Sequence, residues 1–311
     1  METMIELQGL SRRFGTVTAL TDIDLTIQKG ELFGIVGPDG AGKSTLLRLI
    51  AAVLDPSAGT AHIHGFESVR EAEQVKHHIG YMPQRFGLYP DLTVAENLDF
   101  AAQLFGVKGA QRTERLHRLY EFTNLERFKS RPAGLLSGGM KKKLGLACAM
   151  IHHPAILLLD EPTTGVDPVA RRNFWDLLSG LHAEGITTVV STPYMDEAER
   201  CNRVAFLFKG RVLACDTPEH IKEKVPGKVV VLETSDNRRA HQLLEDGILI
   251  LDIQTYGEQL NLVMQSDTPH VLDAIRQRLD GITIHRLEPA PIRMEEAFIY
   301  LVNQAEREVL A

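Results

Sequence analysis

Long apolar runs are missing from this chain of 311 residues. No stretch approaches the roughly eighteen consecutive apolar residues that a membrane-spanning helix needs, so the sequence predicts no such helix. The segment Met1–Gln8 contains acidic side chains and no apolar core, which argues against a secretory signal. We therefore expect any association with a membrane to depend on a partner protein.

Cysteine and basic charge are also scarce. The cysteines Cys148, Cys201 and Cys215 lie far apart in the sequence, which argues against a disulfide framework and favours a reducing, cytoplasmic location. The net charge is -7, whereas nucleic-acid-binding proteins usually present a basic face, so we expect no nucleic-acid partner. A local basic run exists at 141–143, and such runs usually form solvated helix faces.

The overall composition is typical of a globular protein, with 44% hydrophobic and 24% charged residues. Up to about Asp216, short apolar runs alternate with longer helical patterns such as Pro168–Ala183. The runs Leu32–Val36, Ile156–Leu159 and Ile186–Val190 are typical of strands that are buried on both faces. This alternation predicts an α/β domain with a parallel sheet.

Two other regions differ from this pattern. Segment 85–150 is mainly helical and is expected to form a helical subdomain within the first domain, residues 1–216. After an expected linker at 217–228, the order strand, helix, strand, strand, helix, strand predicts a small α+β domain over 229–288, of the ferredoxin-like type. A final helix is expected within 289–311.

A glycine-rich loop follows the apolar run Leu32–Val36 and precedes a helical pattern. It fits G-x-x-x-x-G-K-[ST], in which glycines let backbone N–H groups point at phosphate oxygens. Lys43 is expected to reach the β- and γ-phosphates, and Ser44 to hold Mg²⁺. A chance glycine turn is the alternative, but the flanking strand and helix favour the phosphate site. The residues predicted to bind ATP are Gly37, Pro38, Asp39, Gly40, Ala41, Gly42, Lys43, Ser44 and Thr45.

Two acidic residues, Asp160 and Glu161, end the apolar run that starts at Ile156. One carboxylate at this place can hold Mg²⁺ while its neighbour polarises an attacking water, and hydrolysis of a γ-phosphate requires both. An acidic cap at a strand end is the alternative, which the glycine loop upstream makes less attractive. We predict that Asp160 is a Mg²⁺ ligand and that Glu161 is catalytic.

A third motif, Leu136-Ser137-Gly138-Gly139-Met140, precedes a helical run that continues to Ala149. A serine and two glycines at a helix start form an exposed anion site. Taken alone, these five residues would be better explained as an ordinary capped helix. Because the glycine loop already supplies one phosphate cradle, the motif predicts that the chain carries two half-sites.

From about Met4 to Asp216, these motifs follow one another along the chain in the order found in ATP-binding-cassette (ABC) ATPase subunits, which the chain resembles. The resemblance implies the P-loop NTPase fold, the cofactors ATP and Mg²⁺, and a second ABC ATPase subunit that closes head to tail with the first. Each ATP would then lie between the glycine loop of one subunit and the signature motif of the other. The residues assigned by this resemblance are Phe14 (adenine stacking), Gln84 (Mg²⁺ and the transmembrane partner), Ser137, Gly138 and Gly139 (signature, ATP of the partner subunit) and Asp167 (D-loop).

A narrower resemblance points to the ATP-binding subunits of type-2 ABC exporters. It rests on Met140 in place of the usual glutamine, on Tyr194–Glu199 and on Met294–Ile299 in the small C-terminal domain. It implies an ABC permease as partner, the export of drugs or other hydrophobic small molecules, and a position on the cytoplasmic face of the inner membrane.

The chain departs from the family at Pro193. The family has a histidine there that contacts the γ-phosphate, and proline has neither a titratable group nor a backbone N–H. Two interpretations are open: pairing with a histidine-bearing cassette, or a homodimer that hydrolyses ATP slowly or uses another group in place of the histidine. Asp39 also replaces the usual asparagine, which should matter less because the cradle is mainly backbone.

Three other functions are alternatives to transport. Pro193 favours a catalytically weakened, regulatory ATP-binding subunit, and the retained Glu161 opposes it. A soluble ABC ATPase of translation or DNA repair would usually carry tandem cassettes or a long coiled-coil insert. A P-loop kinase or GTPase would leave the motif at 136–140 unexplained.

Overall fold

The computed structural model describes residues 2–85, 87–245, 250–264 and 269–310. The chain divides into two compact units, Met1–Cys215 and Asp216–Ala311. No helix within the described ranges is both long and apolar enough to cross a membrane.

Strands and helices alternate through the first unit. Its strands are β1 (Thr3–Phe14), β2 (Val17–Gln28), β3 (Leu32–Val36), β4 (Ala58–Ile63), β5 (Phe66–Glu67), β6 (Ile79–Met82), β7 (Ile156–Asp160), β8 (Thr187–Thr192), β9 (Arg203–Phe208) and β10 (Arg211–Asp216), the last reaching the boundary. Its helices are α1 (Lys43–Ile50), α2 (Ala72–His78), α3 (Val94–Leu104), α4 (Gly109–Thr123), α5 (Gly138–Met150), α6 (Pro168–Ala183) and α7 (Met195–Ala198), with short 3₁₀ turns at Glu126–Phe128 and Ala133–Leu135.

The predicted parallel sheet has the strand order β10-β9-β3-β8-β7-β6. Strand β3 pairs in parallel with β8 and β9, and β7 pairs in parallel with β6 and β8. Every residue of β3 and β7 is buried, which explains their unbroken apolar sequences. The parallel α/β architecture expected from the sequence is therefore confirmed.

An antiparallel sheet with the order β2-β1-β4-β5 accompanies the parallel one and was not anticipated from the sequence. Its strands bury mainly alternate residues, as in the half-exposed β2, where Ile23, Leu25 and Ile27 are buried and the residues between them are exposed. Alternation of this kind gives a weaker signal than a continuous apolar run. Side chains of both sheets and of α1 form one hydrophobic core, including Leu7, Leu46 and Leu158.

Helices α3, α4 and α5 form a second hydrophobic cluster, which corresponds to the expected helical subdomain. It includes Leu98 of α3, Tyr120 of α4 and Leu144 of α5. Helix α6 buries Phe174 and Trp175, at 2% and 1% exposure.

The parallel register brings three loops to one edge of the sheet. Val36, the last residue of β3, is paired with Thr192 of β8, and Asp160 of β7 is paired with Ser191. Because the carboxyl ends of parallel strands meet at the same edge, the glycine loop, the acidic pair and the loop that contains Pro193 emerge side by side. This edge carries the candidate site.

The second unit contains the predicted α+β order. Its elements are α8 (Pro218–Glu223), β11 (Lys228–Thr234), α9 (Asn237–Glu245), β12 (Ile250–Tyr256), β13 (Gln259–Met264), α10 (Pro269–Arg278), β14 (Ile284–Ala290) and α11 (Met294–Leu310). The sheet order is β12-β13-β11-β14, and each neighbouring pair is antiparallel. This is the topology of a split βαβ, ferredoxin-like domain.

The bounds within this unit differ from the expected ones in two places. Helix α8 lies inside the segment 217–228 that was expected to be a linker, and β14 continues to Ala290, inside the segment 289–311 expected to be helical. Pro289 is compatible with this position because β14 is an edge strand, and prolines within sheets are largely confined to edge strands. Ala311 lies outside the described residues.

Helix α11 is fastened to this sheet through a buried carboxylate. Glu296 is fully buried and accepts hydrogen bonds from Asn261 Nδ2 of β13 at 2.8 Å and from Arg293 at 2.7 Å. The Arg293 side-chain bonds and the Asn261 bond hold the pKa of Glu296 below its ordinary value, although burial opposes that shift. Leu260 and Leu262 alternate with Asn261 and belong to the core on the other face.

Candidate functional site

The glycine loop, residues 37–42, joins β3 to α1. Gly42 has a φ of 107°, a left-handed conformation that side chains rarely adopt. At Gly37 an added Cβ would collide with the carbonyl oxygen of Leu207. The loop therefore packs closely against β9 at Gly37. It leads into the start of α1, where unpaired backbone N–H groups and the helix dipole favour an anion.

Lys43 turns its ammonium group back into this loop. Its Nζ donates to the carbonyl oxygens of Gly37 at 2.8 Å and Pro38 at 3.0 Å. It also lies 3.2 Å from Glu161 Oε1, and the two side chains are 3% and 5% exposed. Asp39 Oδ1 is 4.0 Å from the same nitrogen, but the Asp39 side chain is 91% exposed. Lys43 is thus held where an anion cradled by the loop would meet it.

Asp160 ends β7 with its carboxylate against the start of α1. Its Oδ1 accepts hydrogen bonds from Ser44 Oγ at 3.0 Å and Ser191 Oγ at 2.7 Å. Its Oδ2 is buried and has no hydrogen-bond partner among the described residues. A buried carboxylate oxygen beside a serine hydroxyl and an anion cradle is a donor set that fits Mg²⁺, which prefers oxygen ligands. Gln84, the other predicted ligand, instead donates its Nε2 to Glu161.

Glu161 is held by hydrogen bonds at both its backbone and its side chain. Its N–H donates to Ser191 O at 3.1 Å and Oγ at 3.0 Å, and its carbonyl accepts from Lys142 Nζ at 3.1 Å. Its Oε2 accepts from Gln84 Nε2 at 2.8 Å and Thr164 Oγ1 at 3.2 Å. The φ of Glu161 is 47°, a conformation that costs a non-glycine residue about 1–3 kcal/mol. These contacts keep the residue in that strained conformation.

A cavity of about 560 Å³ opens over the glycine loop. Among the residues predicted for the site, it is lined by Asp39, Gly40, Gly42, Lys43, Ser44, Thr45, Gln84 and Glu161. Residues 17–19 from the start of β2 and residues 209–210 complete the lining. The cavity therefore brings together predicted residues from three separate segments of the sequence. Four others from the same segments, Gly37, Pro38, Ala41 and Asp160, are not in its lining.

Phe14 and Pro193 are not among the residues that line this cavity. Phe14 ends β1, is 44% exposed, and has the Arg12 guanidinium 4.6 Å from its ring centroid. Pro193 is half-buried directly after β8. The loop around it is fixed by Glu197, which is 1% exposed and accepts from Thr163 Oγ1 at 2.6 Å and Thr192 Oγ1 at 2.5 Å.

The predicted signature and D-loop residues form a second cluster, also outside the cavity lining. Ser137 caps α5 and Asp167 caps α6, each accepting a hydrogen bond from a backbone N–H three residues ahead. Gly139 lies against Ala170, so an added Cβ would be 2.7 Å from the Ala170 Cβ. At Gly138 an added Cβ would approach no neighbour closer than 3.6 Å. The two helix starts are therefore packed together at Gly139.

Lys142 corrects the expectation that the run at 141–143 is a solvated face. It is 3% exposed, and its ammonium donates to the carbonyl of Glu161. Sequence reasoning also missed Ser191 and Thr164, which contact the acidic pair. Ser191 gave a usable signal, because a polar residue at the carboxyl end of a buried strand commonly belongs to a site. No sequence signal marked Lys142, because only the packing of α5 shows which lysine of the run is buried.

An apolar groove lies beside Gln84 between β6 and the helices α3 and α5. It has a volume of about 220 Å³ and is lined by Tyr81, Met82, Pro83, Gly87, Leu88, Tyr89, Asn97, Phe100, Ala101, Leu104, Phe105, Gly145, Cys148 and Ala149. At its mouth Tyr89, Phe100 and Leu104 are 48%, 43% and 70% exposed. The rings of Tyr89 and Phe100 meet edge to face with centroids 4.8 Å apart.

Comparisons with known proteins agree with this geometry. The family model described as ABC transporter matches residues 20–164. The probable multidrug ABC transporter ATP-binding protein YbhF of Escherichia coli is 40% identical over 310 residues, which is 98% of this chain but 53% of YbhF. The chain thus spans about half the length of that relative. The Nod factor export ATP-binding protein I of Cupriavidus metallidurans is 32% identical, over 94% of this chain and 89% of that protein.

Solved structures show the same fold. The structure of an ATP-binding subunit of an ABC transporter is 31% identical, with a TM-score of 0.65 over 71% of this chain and 93% of the other. The ATP-binding cassette MJ0796, solved as a dimer in a post-hydrolysis state with ADP and phosphate, is 29% identical, with a TM-score of 0.63 over 69% of this chain and 98% of the other. The chain therefore belongs to the ABC transporter family, as one of its ATP-binding subunits.

Proposed function

We propose that this subunit binds Mg-ATP in the cavity over the glycine loop and hydrolyses it to drive export through a membrane-embedded permease. The observation that carries the proposal is the meeting of Lys43, Ser44, Asp160 and Glu161 at one sheet edge. A cradle for phosphate, a fit for a cation and a positioned carboxylate are the parts that phosphoryl transfer to water requires.

Residues of the glycine loop would bind the phosphates. Backbone N–H groups at the start of α1 face the anion, and Lys43 supplies the positive charge. Bound Mg²⁺ would neutralise charge that develops on the phosphates, and Ser44, Asp160 and Gln84 would hold it. Asp160 is already oriented for this task, because Ser44 and Ser191 both donate to its Oδ1.

Glu161 would act as the general base. Gln84 and Thr164 donate to its Oε2 and fix the carboxylate at the cavity wall, so it can accept a proton from an attacking water. The contact with Gln84 also couples Glu161 to the segment that begins the apolar groove. A displacement of the residues that line the groove would therefore shift the Glu161 carboxylate through its hydrogen bond with Gln84.

A second ATP-binding subunit would complete the site. Ser137, Gly138 and Gly139 lie at the start of α5, outside the cavity of their own chain, as expected of residues that bind the partner's nucleotide. Asp167 caps the neighbouring helix α6. The dimeric form of the related cassette MJ0796 supports this arrangement.

The permease would dock in the apolar groove and hold the subunit at the cytoplasmic face of the inner membrane. The groove exposes aromatic and aliphatic side chains and adjoins Gln84, which the family resemblance links to the transmembrane partner. The relatives named as multidrug and Nod factor export proteins support export, with drugs or other hydrophobic small molecules as the proposed cargo.

The test is a co-purification of the full chain with its permease, followed by ATPase assays with and without that partner. Glu161→Gln should keep Mg-ATP binding and lower turnover by about 10²- to 10⁴-fold. Leu104→Glu should abolish co-purification while ATP binding is retained. Val69→Glu, a matched control at an exposed apolar position outside the groove, should do neither. Undiminished turnover by Glu161→Gln would refute the catalytic assignment.

A further inference from the structure

Lys142 is a buried cation to which the proposed mechanism assigns no task. Its side chain is 3% exposed, and it lies on α5 rather than on a strand that bears the acidic pair. Lysine is almost never fully buried without a partner. Its Nζ donates to the backbone carbonyl of Glu161 at 3.1 Å. A buried lysine directed at a main-chain oxygen serves to place that peptide group.

The backbone of Glu161 is strained and has to be held in place by its neighbours. Glu161 has a φ of 47°, and a strained backbone persists only where its surroundings over-determine it. On one side its N–H is bound by Ser191 of β8. On the other side its carbonyl is bound by Lys142. Removing either contact should let the residue relax and displace the carboxylate.

The same lysine is close in sequence to the signature motif. Lys142 lies five positions after Ser137, the cap of α5, which corresponds to about 7.5 Å along a helix axis. Gly139 within this stretch packs directly on α6. The start of α5 is therefore a short, rigid segment with Ser137–Gly139 at one end and the Glu161 carbonyl at the other.

Electrostatics favour a lysine at this place. Burial lowers the pKa of Lys142, while the carboxylates of Glu161 and Asp160 oppose that shift and stabilise the charged form. With Lys43, the cluster contains two buried cations and two buried carboxylates, so its charges balance.

We propose that Lys142 is a positioning residue for hydrolysis, which fixes the backbone of Glu161 and links it to the signature helix that faces the partner's nucleotide. This inference rests on the proposed function, because it takes Glu161 as the general base. Through this link, the state of the signature motif in one half-site would adjust the carboxylate that acts in the other.

The experiment measures single-turnover phosphate release, with full-length protein in excess over Mg-ATP, together with ATP affinity and thermal stability. Lys142→Met removes the donor and keeps the apolar stem, and Lys142→Arg restores a cationic donor. Lys141→Met, at the half-buried neighbouring position, is the matched control. Lys142→Met should release phosphate at least about tenfold more slowly, since small displacements of reacting groups cost up to about 10²-fold, with ATP affinity within about twofold. Lys142→Arg should recover most of the rate.

A further readout separates positioning from a purely structural role. If Lys142 positions the base, Lys142→Met and Glu161→Gln should both accumulate the ATP-bound dimer, because each slows the step that consumes ATP. A loss of folding would instead lower dimer formation and ATP affinity together. Phosphate release within twofold of the unmodified chain, or ATP affinity lost in proportion to rate, would overturn the inference. The proposed function would fail separately, through unchanged turnover in Glu161→Gln.

Discussion

Lys43 and Glu161 form a buried ion pair between the glycine loop and the acidic end of β7. Their charged atoms are 3.2 Å apart, and neither side chain is more than 5% exposed. Removing one partner of such a pair leaves the other charge buried and uncompensated. Lys43 therefore has a structural role at the sheet edge in addition to its predicted contact with phosphate.

Lys43→Met should lower both ATP affinity and the free energy of unfolding. The expected loss of stability is about 3 kcal/mol, at the low end for a broken buried pair because Gln84 and Thr164 still donate to Glu161. Denaturant unfolding of Lys43→Met, Glu161→Gln and the double variant measures the coupling, and the double variant should lose less than the sum. Lys76→Met, at an exposed ion pair, should change stability by at most about 1 kcal/mol. Strict additivity would contradict the pairing.

Pro193→His should raise ATP turnover by the isolated chain. A histidine there would supply the side chain that the family directs at the γ-phosphate, and one preorganised polar contact in a reaction site is worth about 10²- to 10³-fold. We expect a gain of at least tenfold in single-turnover rate, and none in Pro193→Ala, which restores the N–H alone. An unchanged rate in Pro193→His would argue for hydrolysis that uses another group or the partner's residues.

Gly139→Ala should separate the starts of α5 and α6. The new Cβ would be 2.7 Å from the Ala170 Cβ, and overpacking of this kind costs about 1–3 kcal/mol. Thermal unfolding should show the loss, and Ala170→Gly in the same chain should recover part of it. Gly138→Ala, whose nearest contact would be 3.6 Å, is the control and should leave stability nearly unchanged. Equal losses in both variants would show that the close contact is not the cause.

His152 should make stability fall in acid. Burial lowers its pKa from 6.5 to about 4. Its ring stacks on Phe105 at 3.8 Å, Nε2 lies 3.0 Å from Ile79 O, and Nδ1 has no hydrogen-bond partner among the described residues. Because the folded state favours the neutral ring, this contribution is complete above about pH 6.5 and is lost as the pH falls through about 4.

Denaturant unfolding between pH 7 and pH 4 measures this dependence. His152→Gln should flatten the curve over that window, since glutamine keeps an amide donor but does not titrate. His153→Asn is the matched control, because His153 is exposed and asparagine tolerates its φ of 61°. A curve for His152→Gln as steep as that of the unmodified chain would assign the acid sensitivity to other groups.

Much of the first unit was predictable because its signals are local. Strand β3 has the bounds expected from its apolar run, because burial on both faces requires a continuous apolar sequence. Helix α6 has the bounds expected from its helical pattern, because the capping Asp167 and the proline after it indicate where the helix begins. The glycine loop was equally clear, because its spacing is dictated by backbone geometry rather than by distant contacts.

The rest depends on long-range packing. The antiparallel sheet of β1, β2 and β4 buries alternate residues against a core supplied by other segments, so its strands carry a weak local signal. The contact of Lys142 with Glu161 joins residues on a helix and at a strand end, and no spacing in the sequence indicates it. At Pro193, by contrast, the sequence alone shows the departure from the family. The effect of that departure on ATP hydrolysis depends on the residues around it.

The buried carboxylate of α11 has a practical consequence for shortened forms of the protein. A chain that ended before Met294 would lose Glu296 and uncover Asn261, a polar residue now only 3% exposed, on the face of β13 opposite the hydrophobic core. Adjacent Val263, 1% exposed, would lie next to that uncovered position. Such a chain would present a partly apolar sheet surface to solvent and should aggregate. Preparations of the second unit should therefore retain the final helix, which acts as the cover of its sheet.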